Sequence, residues 1–223
     1  MRVLHHQLIC PFSRKVRIVL AEKRLPFETI AHQSWALERD FLILNPAGTL
    51  PVLIEPDGRP LADSTAICEY LEEIETANPL FYGNVFIRAE IRRLVAWFDV
   101  KFHAEVGAPL VWEKLIKRQM GGSFEPDSRL LRQAYLDVDY HLSYIGWLSE
   151  QRRWLAGDFF SLADITAAAH LSCIDYLGAL PWEKYDAAKD WYARIKSRPS
   201  LRPLLADLIS NQPPPRHYAD LDF

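Results

Sequence analysis

The chain has 223 residues, of which 49% are hydrophobic and 25% are charged, and its formal net charge is −3. This composition is typical of a soluble globular protein large enough for one or two domains. Neither half of the chain is basic, so a nucleic-acid-binding role has no electrostatic support, and no apolar run approaches the roughly 18 residues that a membrane span requires. The cysteines at positions 10, 68 and 173 lack metal-ligand or paired spacing, which favours a reducing cytoplasm.

The first 76 residues predict a small mixed α/β domain. Residues 3–9 are typical of a strand rather than a secretory signal, because two histidines and a glutamine interrupt the apolar residues. Pro11 stands where a helix begins, since its missing N–H costs nothing at the first helical position. Strands are predicted at 27–31, 50–55 and 60–62, with a short helix at 37–44 between the first two. A second helix, capped by Asp63 and Ser64, follows the last strand.

Residues 77–86 are interpreted as a linker, and residues 87–211 as an all-helical domain. A stripe of apolar residues with helical spacing opens this domain: Ile87, Ile91, Leu94, Val95, Phe98 and Phe102. Ser161 and Asp164 form a capping pattern before a helix of small residues. Further helices are expected at 130–148, 186–196 and 201–209. The tail, 212–223, begins with three prolines, which should hold it away from the helical body.

Four motifs in chain order resemble the glutathione S-transferase superfamily. They are CPFSRKVR (10–17), NPAGTLPVL (45–53), the pair Asp63-Ser64, and SLADITAAAHL (161–171). The resemblance implies an α/β thioredoxin-like N-terminal domain followed by an all-α C-terminal domain. It agrees with the order of elements read from the residues alone.

This resemblance also implies a glutathione site. Pro51 is expected in cis, with the backbone of Leu50 pairing with the cysteinyl group of glutathione, and an X–Pro bond accepts cis at small cost. Asp63 and Ser64 would receive the γ-glutamyl carboxylate at a helix N-terminus. The alternative for this pair is that it only caps the helix.

Cys10 and Ser13 are the two candidate catalytic residues if the chain is an enzyme. A thiol at a helix N-terminus tends to have a lowered pKa, and Cys10 would then exchange with glutathione mixed disulfides. Ser13 would instead hydrogen-bond the glutathione thiolate. The alternative for both is a structural role in the loop.

A narrower resemblance points to a binding function. The stretches WFDVKFHAEV (97–106), DYHLSYIGWL (139–148), WLAGDFFSLAD (154–164), AAKDWYARIKSRP (187–199) and the terminal HYADLDF (217–223) resemble glutathione S-transferase-like cell-division proteins of alphaproteobacteria. Such proteins are homodimers that bind FtsZ filaments, and they are not thought to require glutathione chemistry. The resemblance implies a cytoplasmic protein at the division site, with no nucleic-acid or membrane partner and no required cofactor, glutathione being an optional ligand.

The surface implied for filament binding has two parts. Trp35 lies in a polar loop, where an aromatic side chain suits a binding hot spot, although it could equally fold back on its own domain. The tail supplies the rest: His217, Tyr218, Asp220, Leu221, Asp222 and Phe223. A frayed terminus is the alternative for the tail. Whether the chain is also a glutathione S-transferase or thiol transferase stays open at this point.

Overall fold

The computed structural model describes residues 1–121 and 125–221. The chain divides into two compact units, Met1–Pro79 and a second unit that begins at Leu80. None of the helices in the described residues is long and apolar enough to cross a membrane.

The first unit is a four-stranded mixed sheet with three helices. Its strands are β1 (Arg2–His6), β2 (Phe27–Ala31), β3 (Val52–Ile54) and β4 (Pro60–Ala62), and its helices are α1 (Pro11–Glu22), α2 (Arg39–Leu44) and α3 (Ser64–Ile74). The strand order is β2-β1-β3-β4, with β1 parallel to β2 and antiparallel to β3. This is the small α/β unit that the sequence predicts.

Helix α1 forms for the reasons read from the sequence. Pro11 occupies its first turn, after Cys10 in an extended conformation. The apolar positions Val16, Val19 and Leu20 are completely buried, as their helical spacing predicts.

The predicted strands 3–9 and 50–55 extend beyond the observed β1 and β3, whereas β2 and β4 have the predicted bounds. Strand β1 ends at His6 because the chain then turns, with the Cys10 N–H donating to the Gln7 carbonyl at 3.2 Å. Strand β3 begins after Pro51, which has no N–H to offer a sheet. The helix predicted at 37–44 begins at Arg39.

The second unit is helical. Its helices are α4 (Val85–Ala96), α5 (Ala108–Val111), α6 (Lys117–Gln119), α7 (Ser128–Gln151), α8 (Leu162–Tyr176), α9 (Asp186–Lys196) and α10 (Arg202–Leu205), with wider π-helical turns at Trp97–Gly107 and Trp112–Ile116 and single 3₁₀ turns at Trp182–Lys184 and Arg216–Tyr218. Helix α8 is the central element, because every one of its 15 residues is buried. It begins with the capping box that the sequence predicts at Ser161 and Asp164.

The prediction of a helix at 201–209 is wrong for the second half of that range, since α10 ends at Leu205. The Tyr176 hydroxyl accepts the Ile209 N–H at 2.9 Å and donates to the Gln212 carbonyl at 2.8 Å. Both backbone groups thus find a partner on α8, and the chain turns where a helix would have continued.

Candidate functional site

Cys10 sits at the start of α1, where the sequence places it. The residue is half-buried, and its sulfur lies 3.8 Å from the Leu50 carbonyl oxygen. Ser13 is completely buried one turn later and accepts the Gln7 N–H at 3.2 Å. The structure therefore brings Cys10, Ser13 and Leu50 into one group.

The thiol of Cys10 differs from the prediction. Burial raises the pKa of the Cys10 thiol above its ordinary value, although hydrogen bonds from the Ser13 side chain and from backbone N–H groups act in the opposite direction. Desolvation disfavours the charged thiolate and outweighs these donors. The helix-tip position is correct, but the expected lowering of the pKa is not found.

Pro51 follows a cis peptide bond from Leu50, as the resemblance implies. Pro51 is buried beside the half-buried Leu50. This is the backbone segment expected to pair with the cysteinyl group of glutathione.

Asp63 and Ser64 form the start of α3. The Asp63 carboxylate accepts the N–H groups of Thr65 at 2.7 Å and Ala66 at 3.0 Å, so the capping role is confirmed. Asp63 has a φ of 70°, which turns the chain sharply into the helix, and Ser64 is buried. A carboxylate thus already satisfies two of the N–H groups that would otherwise be open to an anion.

Trp35 lies in the segment between β2 and α2, which we call the Trp35 loop (residues 32–38). Trp35 itself is half-buried, whereas Gln33, Ser34 and Ala36 are exposed. Beyond the loop, Ile43 on α2 is 72% exposed. An aromatic side chain among exposed residues, with an exposed aliphatic one nearby in the chain, can contact a protein partner.

The attachment of this loop is a feature that the sequence patterns do not predict. The Nδ1 atom of His5 on β1 lies 2.8 Å from Nε2 of His32, at the first position of the loop. The two rings stack with centroids 5.0 Å apart. The only available signal was a pair of histidines in the first strand and a third after the second.

The tail packs against the helices of the second unit, contrary to the prediction that its prolines hold it away from them. Tyr218 is completely buried, its hydroxyl donates to the Leu204 carbonyl at 3.1 Å, and its ring packs on Tyr176. The side chain expected to be an exposed partner anchor is therefore an internal one.

A buried ionic group holds the same tail segment. Asp175, fully buried on α8, accepts hydrogen bonds from His217 Nε2 at 3.0 Å and from Trp182 Nε1 at 2.8 Å. Lys196 donates to the His217 carbonyl at 2.9 Å, and burial lowers the pKa of Lys196.

Past Tyr218 the tail comes to the surface. Asp220 is exposed and Leu221 is half-buried. The predicted contact residues Asp222 and Phe223 lie outside the described residues. Within the described ranges, His, Cys, Asp and Glu side chains form no group of three able to hold a metal ion.

Known proteins resemble this chain over its whole length. It is 47% identical to FtsZ-localized protein A of Caulobacter vibrioides, covering 100% of this chain and 98% of that protein. A crystal structure of a glutathione S-transferase from Rhodospirillum rubrum F11 superposes with a TM-score of 0.97 at 56% identity, covering 100% of both chains. The structure of FzlA from C. crescentus superposes with a TM-score of 0.95 at 47% identity, covering 100% of this chain and 99% of that one.

The family is defined by both units. Residues 9–74 match the family model of the glutathione S-transferase N-terminal domain, and residues 140–199 match that of the glutathione S-transferase C-terminal domain. With the mixed sheet, the cis bond before Pro51 and the buried capping box of α8, these matches show that the chain belongs to the glutathione S-transferase family.

Proposed function

We propose that this glutathione S-transferase-fold protein binds FtsZ filaments and acts in bacterial cell division. The observation that carries the proposal is the 47% identity to FtsZ-localized protein A over the full length of this chain. The protein would work in the cytoplasm at the division site, and its binding would need no cofactor.

The Trp35 loop is the first part of the proposed contact surface. The exposed polar residues Gln33 and Ser34 precede the half-buried Trp35 in the chain, and Ile43 adds an exposed aliphatic side chain on α2. An amphipathic aromatic residue with a polar rim is the composition that binding hot spots favour.

The tail is the second part, with one revision from the sequence. Tyr218 and the contact of His217 with Asp175 fix the tail on the second unit. The segment that follows, from Asp220 to the terminus, is proposed to carry the contact with the filament. An anchored segment loses less conformational entropy on binding than a free one.

A homodimer is part of the same proposal. The apolar stripe predicted on the first helix of the second unit is largely buried within that unit, Ile91, Leu94 and Phe98 being fully covered. By contrast, Leu136, Tyr140 and Trp147 project from one side of α7 and are 58%, 53% and 54% exposed. An exposed apolar stripe of this length supports a protein-binding surface, and we assign it to the second copy.

Cosedimentation with GTP-assembled FtsZ tests the proposal. The wild-type chain, shown to be dimeric by sedimentation equilibrium, should pellet with filaments. Trp35→Ala should weaken binding by roughly thirty-fold, the effect of losing a hot spot worth about 2 kcal/mol. Trp112→Ala is the matched control, because Trp112 is a 45% exposed tryptophan of the second unit, outside the proposed surface.

The tail is tested by truncation after Ala219, which removes the proposed contact residues and keeps Tyr218. Binding should weaken while the thermal melt is unchanged. A failure of the wild-type dimer to pellet would overturn the proposal, and a collapsed melt for Trp35→Ala would make that residue structural.

A second function is supported by the group around Cys10. Cys10, Ser13 and the cis peptide before Pro51 lie together at the start of α1, as a glutathione transferase or thiol transferase would need. Leu50, Pro51, Asp63 and Ser64 would hold glutathione. Retention on immobilised glutathione and turnover of a chlorodinitrobenzene-type or mixed-disulfide substrate would support it. Unchanged turnover in both Cys10→Ser and Ser13→Ala would contradict these assignments.

A further inference from the structure

Two histidine rings fasten the start of the Trp35 loop to the sheet. His5 lies in β1 between Ile30 of β2 and Val52 of β3. Its Nδ1 atom is 2.8 Å from Nε2 of His32, and the ring of Phe41 on α2 lies 5.9 Å from the His5 ring and 4.9 Å from the His32 ring. The ring of Phe41 thus packs against both histidine rings, which are half-buried.

The contact between these nitrogens requires at least one neutral ring. One nitrogen must donate a proton and the other must accept it, so the pair can carry a charge of zero or one. A single added proton still leaves one donor and one acceptor, so the bond can persist. Two protons place an N–H on both nitrogens, and the contact must then open.

We propose that His5 and His32 form a proton-dependent clasp that holds the Trp35 loop in its binding conformation, so that the loop is released and partner binding weakens in acid. This inference rests on the proposed function, since it deepens the role of the Trp35 loop. His5 and His32 are positioning residues here, acting on the partner through Trp35.

The remaining attachments of the loop are few. The His32 N–H donates to the His6 carbonyl at 2.8 Å, and the Ala36 N–H closes a turn on the Gln33 carbonyl at 2.9 Å. Most of the intervening residues are exposed. A segment with few buried contacts opens at low free energy, so the loss of one side-chain bond at its base shifts its position.

The groups around the clasp set the direction of the pH dependence. Burial, and secondly the charge of His32, lower the pKa of His5. The neighbours on β2, β3 and α2 are Ile30, Val52 and Phe41, which do not titrate. The charged residues of the loop and of α2, namely Glu38, Arg39 and Asp40, are exposed, and among the described residues His32 is the charged group that acts on His5.

The lowered pKa of His5 determines that acid favours the released loop over the clasped one. A released His5 ring takes up a proton near the ordinary pKa of about 6.5, whereas the clasped ring resists it. Above that pH the clasp is fully stable, and below it the released state gains a proton that the clasped state lacks. The opening equilibrium should rise about tenfold per pH unit until the clasped His5 ring itself takes up a proton.

Amide hydrogen exchange of residues 32–38, followed by NMR between pH 7.5 and 5 and corrected for the intrinsic rate, tests the clasp without a partner. The wild-type chain should show the one-proton slope, and the imidazole ¹⁵N shifts of His5 should change over the same range. His32→Gln should make the slope shallower, because it removes the charge of His32 and its amide oxygen accepts from a protonated His5. A wild-type slope of zero, or an equal slope in both proteins, would overturn the proposal.

Filament pelleting at each pH gives the second readout. Wild-type binding relative to His32→Gln in the same buffer should fall between pH 7.5 and 5.5 in proportion to the fraction of released loop, whereas the two should agree at pH 7.5. Using the ratio removes the pH dependence of FtsZ assembly. If no pelleting occurs at any pH, the proposed function fails while the exchange result still decides the clasp. If the ratio of wild-type to His32→Gln binding does not change with pH while the exchange slopes are as expected, the clasp does not control binding, and the proposal is overturned.

Discussion

Asp164 is a carboxylate completely buried at the start of α8, and its two oxygens accept four hydrogen bonds. Oδ1 accepts from Leu155 N–H at 2.9 Å and Trp191 Nε1 at 3.0 Å, and Oδ2 accepts from the N–H and hydroxyl of Ser161, each at 3.1 Å. Asp164→Ala leaves all these donors without a carboxylate, so we expect a loss of about 3–5 kcal/mol in the free energy of unfolding. Urea denaturation measures it.

The control for this prediction is Asp158→Ala. Asp158 is an exposed carboxylate six residues earlier, and its removal should change stability by no more than about 0.5 kcal/mol. A similar small loss for Asp164→Ala would mean that water replaces the carboxylate.

Cys10 should react slowly with alkylating agents. Burial raises the pKa of its thiol, so a smaller fraction is thiolate at neutral pH than in an unhindered cysteine. The pH profile of iodoacetamide labelling, read by mass spectrometry, should have its midpoint above the ordinary value of about 8.5. The profile separates ionisation from mere inaccessibility, which would lower the rate at every pH. A midpoint below 8 would favour the thiol-transferase function.

The residues that could be assigned from sequence are those whose interactions are local. The caps at Asp63 and Ser161 bond to N–H groups two or three positions away, so short motifs reveal them. The partners of His5 and Tyr218 lie 27 and 14 positions distant in the chain. Periodicity and capping rules carry no information on such pairs, which is why the clasp was missed and the tail was placed outside the fold.

At the scale of elements, Glu90 links α4 to the end of α7. It accepts from Arg93 Nε at 2.7 Å and from Arg152 at 2.7 Å, and hydrogen bonding to Arg93, followed by Arg152, lowers the pKa of Glu90 to about 2. A depressed carboxyl pKa contributes stability above its unfolded value of 4.5 and loses it as the pH falls toward 2. Glu90→Gln should therefore cost about 1 kcal/mol at pH 7 and progressively less below pH 4.5.

Urea denaturation of wild type and Glu90→Gln between pH 7 and 3 checks this prediction. Glu73→Gln, at an exposed position of α3, should stay within about 0.5 kcal/mol of wild type throughout. A Glu90→Gln effect that is constant with pH would show that packing, not charge, accounts for the loss.

The order of elements was predictable, and their ends were less so. Helix α9 and strands β2 and β4 have the predicted bounds, because breakers or turn residues flank them. Helix α10 ends at Leu205, before the predicted end at 209. The Tyr176 hydroxyl, more than thirty residues earlier, accepts a hydrogen bond from the Ile209 N–H. A side chain distant in sequence overrides the local preference there.

At the scale of the whole molecule, the chain carries two candidate activities on separate residues. The group around Cys10 is formed by the start of α1 and the segment before β3, and Ser13 is completely buried. The proposed filament contacts are in the Trp35 loop and in the tail after Tyr218. Family membership alone leaves open which activity the chain uses, because one fold can host unrelated functions.

The two activities should therefore separate on mutation. The double variant Cys10→Ser, Ser13→Ala removes both candidate catalytic groups without changing the Trp35 loop or the tail, so it should bind FtsZ filaments within about twofold of wild type, less than about 0.5 kcal/mol. Trp35→Ala should show the converse, with weakened pelleting and unchanged retention on immobilised glutathione. A thermal melt of each variant controls for folding, since Ser13→Ala also leaves the Gln7 N–H without its partner. If the double variant loses filament binding while its melt is preserved, the group around Cys10 belongs to the filament contact, and division of the molecule into two independent sites is wrong.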